Sequence, residues 1–261
     1  MHILIELRSN GPIAIKQIFL EPFTFNEYTL KNSYQFQADI TNFKPRPGYF
    51  MVSFDISSLY TNVPVLETID ILLDRIFNDT DSFHGFDKFY FAEFLKITAS
   101  NCYFLFNKVL YKQIEGLSMG NPIAPSMANI FLCHLETILF NNCPQNCKPL
   151  FYRRYLDDTF VIFENESQVE RFLVYINSLH ANINFTVEKE SGCKLSFLDV
   201  RVERSDSSFD LSVYRKPTHT NLGLSYFSYV PILYKINAIK SLIHRAYYLC
   251  SSFHLFNIEI E

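Results

Sequence analysis

Three carboxylates carry the first hint of chemistry in this sequence. Asp55 falls near the end of an otherwise apolar run, Tyr49 to Ile56 (YFMVSFDI), and Asp157-Asp158 sits at the tip of a short hairpin flanked by Phe151, Tyr155, Phe160, Val161 and Ile162. A charge at a buried strand end is costly unless it is paired or bound to a metal. An Asp-Asp turn is ordinary, because aspartate tolerates turn geometry and solvates well. Taken alone, each feature reads as structural. If the strand and the hairpin are neighbours in one sheet, Asp55 and Asp157 could converge on a pair of Mg2+ ions. Hard oxygen ligands suit Mg2+, and two such ions can clamp the attacking and leaving oxygens of an in-line phosphoryl transfer.

The elements that must position these groups follow from the hydrophobic pattern. Lys44-Pro45-Arg46-Pro47-Gly48 is a stiff connector that ends whatever precedes it, and Tyr49 to Ile56 then reads as a buried strand. Pro64 opens an amphipathic helix with a stripe at Val65, Ile69, Leu72, Leu73 and Ile76. Asp87 to Ala99 reads as a second helix, and Cys102 to Lys112 as a hairpin turning at Asn107-Lys108. The loop Glu115 to Asn121 leads into a long helix with Asn121 as its N-cap, Pro122 as its first residue, and a stripe at Ile123, Met127, Phe131, Leu135 and Ile138. Strands Leu150–Tyr155 and Thr159–Phe163 close around Leu156-Asp157-Asp158. Helix Glu166 to His180, strands Asn184–Glu188, Leu195–Glu203 and Phe209–Arg215, and a final helix Ile232 to Cys250 complete the chain. This order points to an α+β fold in which helices cover one face of an antiparallel sheet.

Composition narrows the class. The 261 residues are 48% hydrophobic and 19% charged, which excludes intrinsic disorder as the main state. No run has the length of a membrane span and no N-terminal segment has the layout of a signal peptide, so a soluble, intracellular protein with no membrane partner is expected. The six cysteines form no zinc pattern and read as reduced structural thiols. A net charge of −4 does not announce a nucleic-acid binder, but charge is unevenly spread. Phe50 to Ser100 holds 3 basic and 8 acidic residues, whereas Lys189 to Ile258 holds 9 basic and 5 acidic ones. An acidic region followed by a basic one fits metal ions held in one place and a polyanion gripped in another, and equally two solvated faces.

Several stretches resemble a known family. Phe54-Asp55-Ile56-Ser57-Ser58-Leu59-Tyr60-Thr61-Asn62-Val63-Pro64 is similar to the first catalytic-aspartate motif of reverse transcriptases. Gly116-Leu117-Ser118-Met119-Gly120-Asn121-Pro122-Ile123-Ala124-Pro125 resembles the loop-helix motif that follows it, and Tyr155-Leu156-Asp157-Asp158 resembles the Y-x-D-D box. The wording SLYTNVP, FLDV and YRKPTHT resembles the Penelope-like retroelement branch, a group allied to telomerase reverse transcriptases. The resemblance runs from about Glu21 to Ser252 in the family's order.

The resemblance implies a right-hand polymerase palm, an antiparallel sheet covered by helices, with partial fingers and a truncated thumb. Residues 1–48 would be partial fingers and connector, 49–203 the palm with inserted fingers-side helices, and 204–261 the primer-grip continuation and the start of the thumb. It implies an RNA-directed DNA polymerase of a retroelement, joining deoxynucleoside triphosphates to a DNA primer on an RNA template with two Mg2+ ions, Mn2+ being an alternative. The other reading is an inactive palm fragment that at most binds RNA/DNA hybrid. Asp55 and Asp157 match the metal-binding carboxylates, with the Ile56 carbonyl as a further ligand and Asp158 in a secondary catalytic role. Tyr60 matches the ring that excludes a 2′-hydroxyl, and Met119, Gly120 and Asn121 match the floor under the nascent base pair. Lys189 is a candidate general acid for pyrophosphate. Tyr155, Phe197 and Leu198 match primer contacts, and Arg215 and Lys216, with Lys235, Lys240 and Arg245, would meet phosphates. The basic fingers residues lack a clear equivalent, Arg8 and Lys16 being stand-ins. Set against the resemblance, a thumb cut short at Glu261 is expected, without the GIY-YIG endonuclease domain that often follows in this family. A nuclear site rests on family analogy alone, and protein partners are not indicated.

Overall fold

The computed structural model describes residues 16–100, 102–220 and 223–261. In chain order its elements are α1 Ser33–Asn42, β1 Phe50–Ile56, α2 Leu59–Asn62, α3 Val65–Phe77, α4 Lys88–Ser100, β2 Tyr103–Phe106, β3 Val109–Lys112, α5 Ala124–Asn142, β4 Phe151–Tyr155, β5 Asp158–Phe163, α6 Ser167–Asn177, β6 Phe185–Lys189, β7 Lys194–Phe197, β8 Val200–Arg204, β9 Phe209–Val213, α7 Ile232–Leu249 and α8 Phe253–Ile260. The expected α+β class holds, with helices and antiparallel strands both prominent. Among the described residues no helix is long and apolar enough to cross a membrane.

The chain divides into two compact units, and the division runs through β1 between Phe54 and Asp55. One unit takes residues through Thr29, Asp55–Cys147 and Arg171–Thr186; the other takes Leu30–Phe54, Lys148–Glu170 and Val187–Glu261. The first is mainly helical. α3 turns Ile69, Leu72, Leu73 and Ile76 inward, as its 3/4 spacing predicts, and α4 contributes Phe91, Leu95 and Ala99. Phe19, Phe83, Phe86, Phe91 and Phe94 form an aromatic cluster with ring centroids 5.4–6.3 Å apart. α5 differs from its expected single stripe. Ala124, Ser126, Met127, Ala128, Ile130 and Phe131 are all buried, so this helix is enclosed on most of its circumference. It also starts later than expected. Asn121 does not cap it; its Oδ1 accepts the Ile123 N–H at 3.1 Å in a local turn, and the helix begins at Ala124 after Ile123.

The second unit holds two sheets. In the larger, of order β4-β5-β1-β6, β5 pairs antiparallel with both neighbours. Phe50 faces Phe163 and the register runs to Phe54 opposite Thr159, while Phe151 faces Ile162 and the register runs to Tyr155 opposite Asp158. Two residues, Leu156 and Asp157, therefore make the turn, and Asp158 belongs to β5 rather than to the loop. The smaller sheet is β7-β8-β9. The run Leu195–Glu203, expected as one strand, folds back on itself: Leu198 takes φ +54° and Leu198-Asp199 joins β7 to β8. Phe36 of α1 meets Phe160 and Phe197 at centroid distances of 5.0 and 4.7 Å, joining α1 to the core. Asn32 caps α1 by accepting the Gln35 N–H at 3.0 Å.

Among the described residues, three buried side-chain atoms lack a hydrogen-bond partner: Thr159 Oγ1, Arg204 Nε and Arg245 Nε. Thr159, fully buried between Arg154 and Phe54 in the ladder, has a hydroxyl without a hydrogen-bond partner. A buried hydroxyl with no partner costs free energy that an isosteric methyl does not. Thr159→Val should therefore stabilise the protein by about 1 kcal/mol, read as a rise in the urea midpoint at unchanged slope; a fall in the midpoint would show that the hydroxyl is used.

Candidate active site

Each unit carries part of the residue set singled out from sequence. The first holds Asp55, Ile56, Tyr60, Met119, Gly120 and Asn121; the second holds Tyr155, Asp157, Asp158, Lys189, Phe197, Leu198, Arg215 and Lys216.

In the first unit, β1 ends in an alternation that buries Ile56 and turns Asp55 outward. The expectation of a carboxylate at a buried strand end is thus corrected: the side-chain period of 2 sends Asp55 to the exposed face, so burial does not explain its charge. Its main-chain carbonyl accepts from Thr186 Oγ1 at 3.3 Å. Ser58 takes φ +52°, and Asn62 Nδ2 closes the turn by donating to the Ser57 carbonyl at 3.0 Å. This turn leads into α2, which carries Tyr60 half-buried. The Tyr60 carbonyl accepts the Leu117 N–H at 2.6 Å, tying α2 to the loop that carries Met119, Gly120 and Asn121. Met119 is 79% exposed and Gly120 exposed, while Asn121 Nδ2 anchors the loop on the Thr98 carbonyl at 2.8 Å. Beside this junction lies a cavity of about 600 Å³, lined by residues 61–67 and 113–116 among others.

In the second unit, the β4–β5 hairpin presents Asp157 half-buried and Asp158 exposed. Leu156 takes φ +54°, a conformation that a residue with a Cβ adopts at a cost of roughly 1–2 kcal/mol. Tyr155 and Leu198 pack against the core, in which Phe197 is buried. The Lys189 ammonium lies 2.8 Å from Glu170 and 3.2 Å from Glu166. Hydrogen bonds to Glu170 and then Glu166 push its pKa up, so its proton is held more tightly than on a solvated lysine. Arg215 pairs with Glu259, Arg245 with Asp199 at 3.0 Å, and Arg204 with Glu190 at 2.7 Å. The basic residues of this stretch are thus largely engaged inside the unit. Arg215, Lys216 and Arg245 line a cavity of about 310 Å³. Arg8 lies outside the described residues, and the Lys16 side chain is not described. Among the described residues, no three His, Cys, Asp or Glu side chains form a group that could hold a metal ion.

Sequence reasoning missed two positions. Arg154, next to the Y-x-D-D box, is almost wholly buried, and the local pattern FYRRY carries no signal of it. Gly116 was read only as part of a motif. Its φ is +69°, and a Cβ there would lie 2.3 Å from the Thr61 carbonyl oxygen. Gly116→Ala should therefore force the loop away from α2 and destabilise the protein by about 1–3 kcal/mol. At Gly120 a Cβ would meet nothing nearer than the Ser118 hydroxyl at 4.0 Å, and Ala there should leave the urea midpoint unchanged. Equal midpoints for the two variants would contradict the close approach.

Comparison with known proteins places these features. The family model described as "Reverse transcriptase (RNA-dependent DNA polymerase)" matches residues 14–203, and the model described as "Animal helix-turn-helix domain" matches residues 222–261, which contain α7 and α8. No curated protein matches the chain. Among solved structures, the telomerase of Candida albicans in complex with a TWJ fragment of telomeric RNA is similar at TM-score 0.63 and 12% identity, over 94% of this chain and 44% of that one. The apo telomerase of Candida tropicalis, truncated from its C-terminal domain, is similar at TM-score 0.60 and 14% identity, over 80% of this chain and 47% of that one. The chain therefore spans less than half the length of these telomerases. At such identities the likeness concerns the fold: helices and antiparallel strands arranged as in telomerase-type polymerases. With a family match covering residues 14–203 of 261, the chain belongs to the reverse transcriptase family.

Proposed function

We propose that this chain is the RNA-directed DNA polymerase domain of a Penelope-like retroelement, extending a DNA primer on an RNA template. The observation that carries the proposal is the β1–β5 register inside a matched reverse transcriptase segment. The ladder ends at Phe54 opposite Thr159; Asp55 is the next residue of one strand, and Asp157 lies two residues before Thr159 in the other chain direction. In this proposal Asp55 and Asp157, with the Ile56 carbonyl, would hold two Mg2+ or Mn2+ ions, for which an all-oxygen donor set is suited. When bound, the ions would neutralise the charge that develops in an in-line displacement at phosphorus.

The chain's own residues would do the rest. Tyr60 would close the space beside the sugar C2′, admitting deoxynucleotides and excluding a 2′-hydroxyl. Met119, Gly120 and Asn121 would floor the nascent base pair, and the exposure of Met119 leaves it open to such a contact. Tyr155, Phe197 and Leu198 would set the primer end. Arg215 and Lys216 would meet backbone phosphates, Arg215 exchanging Glu259 for phosphate. Lys189 would serve as proton donor to pyrophosphate only once its pairs with Glu170 and Glu166 open. The Penelope-like placement rests on the segments SLYTNVP, FLDV and YRKPTHT.

Primer extension on poly(rA)/oligo(dT) with Mg2+ should be seen with the parent and abolished in Asp157→Asn, whose melting temperature should match the parent's. Extension retained by Asp157→Asn would refute the site. A parent that binds hybrid in a salt-sensitive way without extending it would favour the inactive palm instead. Tyr60→Ala should raise ribonucleotide incorporation relative to deoxynucleotide by about 10- to 100-fold; unchanged selectivity would remove Tyr60 from the gate.

A further inference from the structure

Two adjacent arginines of β4 have opposite surroundings. Arg153 points to the partly exposed side, where Nε donates to Asp39 at 2.6 Å and the guanidinium lies 5.2 Å from the centre of the Phe151 ring. Arg154 points inward and is only 1% exposed, the largest fully buried side chain among the described residues. Its Nη1 donates to the main-chain carbonyl of Leu156 at 3.1 Å, and its own carbonyl accepts the Leu30 N–H at 2.7 Å. A buried guanidinium is expensive, and an aliphatic side chain of similar length would fill the same volume without the charge. Among what the guanidinium supplies at this position is a donor to the peptide that links Leu156 to Asp157.

That peptide is the one in need of a clamp. Leu156 holds φ +54° in a two-residue turn, a conformation that glycine adopts freely and leucine does not. If the turn relaxed, the Leu156–Asp157 peptide would rotate and the Asp157 side chain would change direction with it. We propose that Arg154 is a positioning residue for Asp157, its buried guanidinium holding the left-handed Leu156 turn in the geometry that aims the carboxylate. The proposal rests on the polymerase reading for its catalytic consequence, but the clamp itself is a property of the hairpin.

The test compares the parent, Arg154→Lys and Arg154→Lys/Leu156→Gly in primer extension and in amide hydrogen exchange. Lysine keeps the charge and most of the stem but lacks the planar fork that reaches the carbonyl. Arg154→Lys should lower kcat by about 100-fold with KM for the nucleotide little changed, the signature of a misplaced group rather than lost binding. It should speed exchange at Asp157 and Asp158 while leaving Phe160 to Phe163 protected. Adding Leu156→Gly, which removes the strain the clamp opposes, should restore most of the lost kcat.

Unchanged kcat in Arg154→Lys overturns the proposal. So does a loss that glycine does not restore, or faster exchange across the whole hairpin, which a purely structural core residue would give. If the parent shows no extension, the polymerase reading fails for this chain, and exchange alone decides the clamp. Opening confined to Asp157 and Asp158 supports it; general opening or none overturns it.

Discussion

The ladder between β1 and β5 constrains everything else in the candidate site. It buries Phe54 and Ile56 while leaving Asp55 exposed, and it places Thr159 opposite Phe54. A slip of one residue would turn Phe54 to the exposed face and Asp55 to the buried one, exchanging a favourable burial for a desolvated charge. The register is thus fixed by side chains that have no part in the chemistry. The turn that follows is equally constrained, because a two-residue loop between Tyr155 and Asp158 leaves Asp157 no freedom to move along the chain.

Much of this was legible in the sequence, for identifiable reasons. The stripe on α3 and the hairpin at Asn107-Lys108 follow from local rules, and both turn residues take positive φ, as a tight hairpin of that kind requires. The positive φ values at Leu156 and Leu198 were not legible, because leucine carries no turn signal; the folded surroundings impose the conformation. For that reason the sequence alone predicts a single strand over Leu195–Glu203 and places Asp158 in the loop, where the structure has a turn at Leu198-Asp199 and Asp158 in β5. Asn121 looked like a helix cap because its type fits, yet its side chain serves the loop and the Thr98 carbonyl instead. Burial of Arg154 depends on which face of β4 meets the core, which no local pattern specifies. The roles of Tyr60, Met119 and Gly120 came from the motif order, not from their residue types.

Charge tells a similar story. The excess of basic residues between Lys189 and Ile258 suggested a grip on a polyanion, yet Lys189, Lys194, Arg204, Arg215 and Arg245 all make ion pairs with carboxylates of the same unit. The Arg204–Glu190 pair is well shielded from solvent, and Glu190 also accepts the Met51 N–H at 2.9 Å. This pair therefore organises the edge of the large sheet. In the Arg215 pair the guanidinium is the exposed partner while Glu259 is largely shielded, so a phosphate can approach Arg215 from the solvent side. Net charge over a segment says little until the internal partners are known.

The proposed polymerase function requires that Asp55 and Asp157 act on the same ions. Crystals grown with Mn2+ in place of Mg2+ and measured at the manganese absorption edge test it most directly. An anomalous peak bridged by both carboxylates, and lost in Asp157→Asn, is the predicted result. Manganese bound to one carboxylate alone, or elsewhere on the chain, would contradict the account.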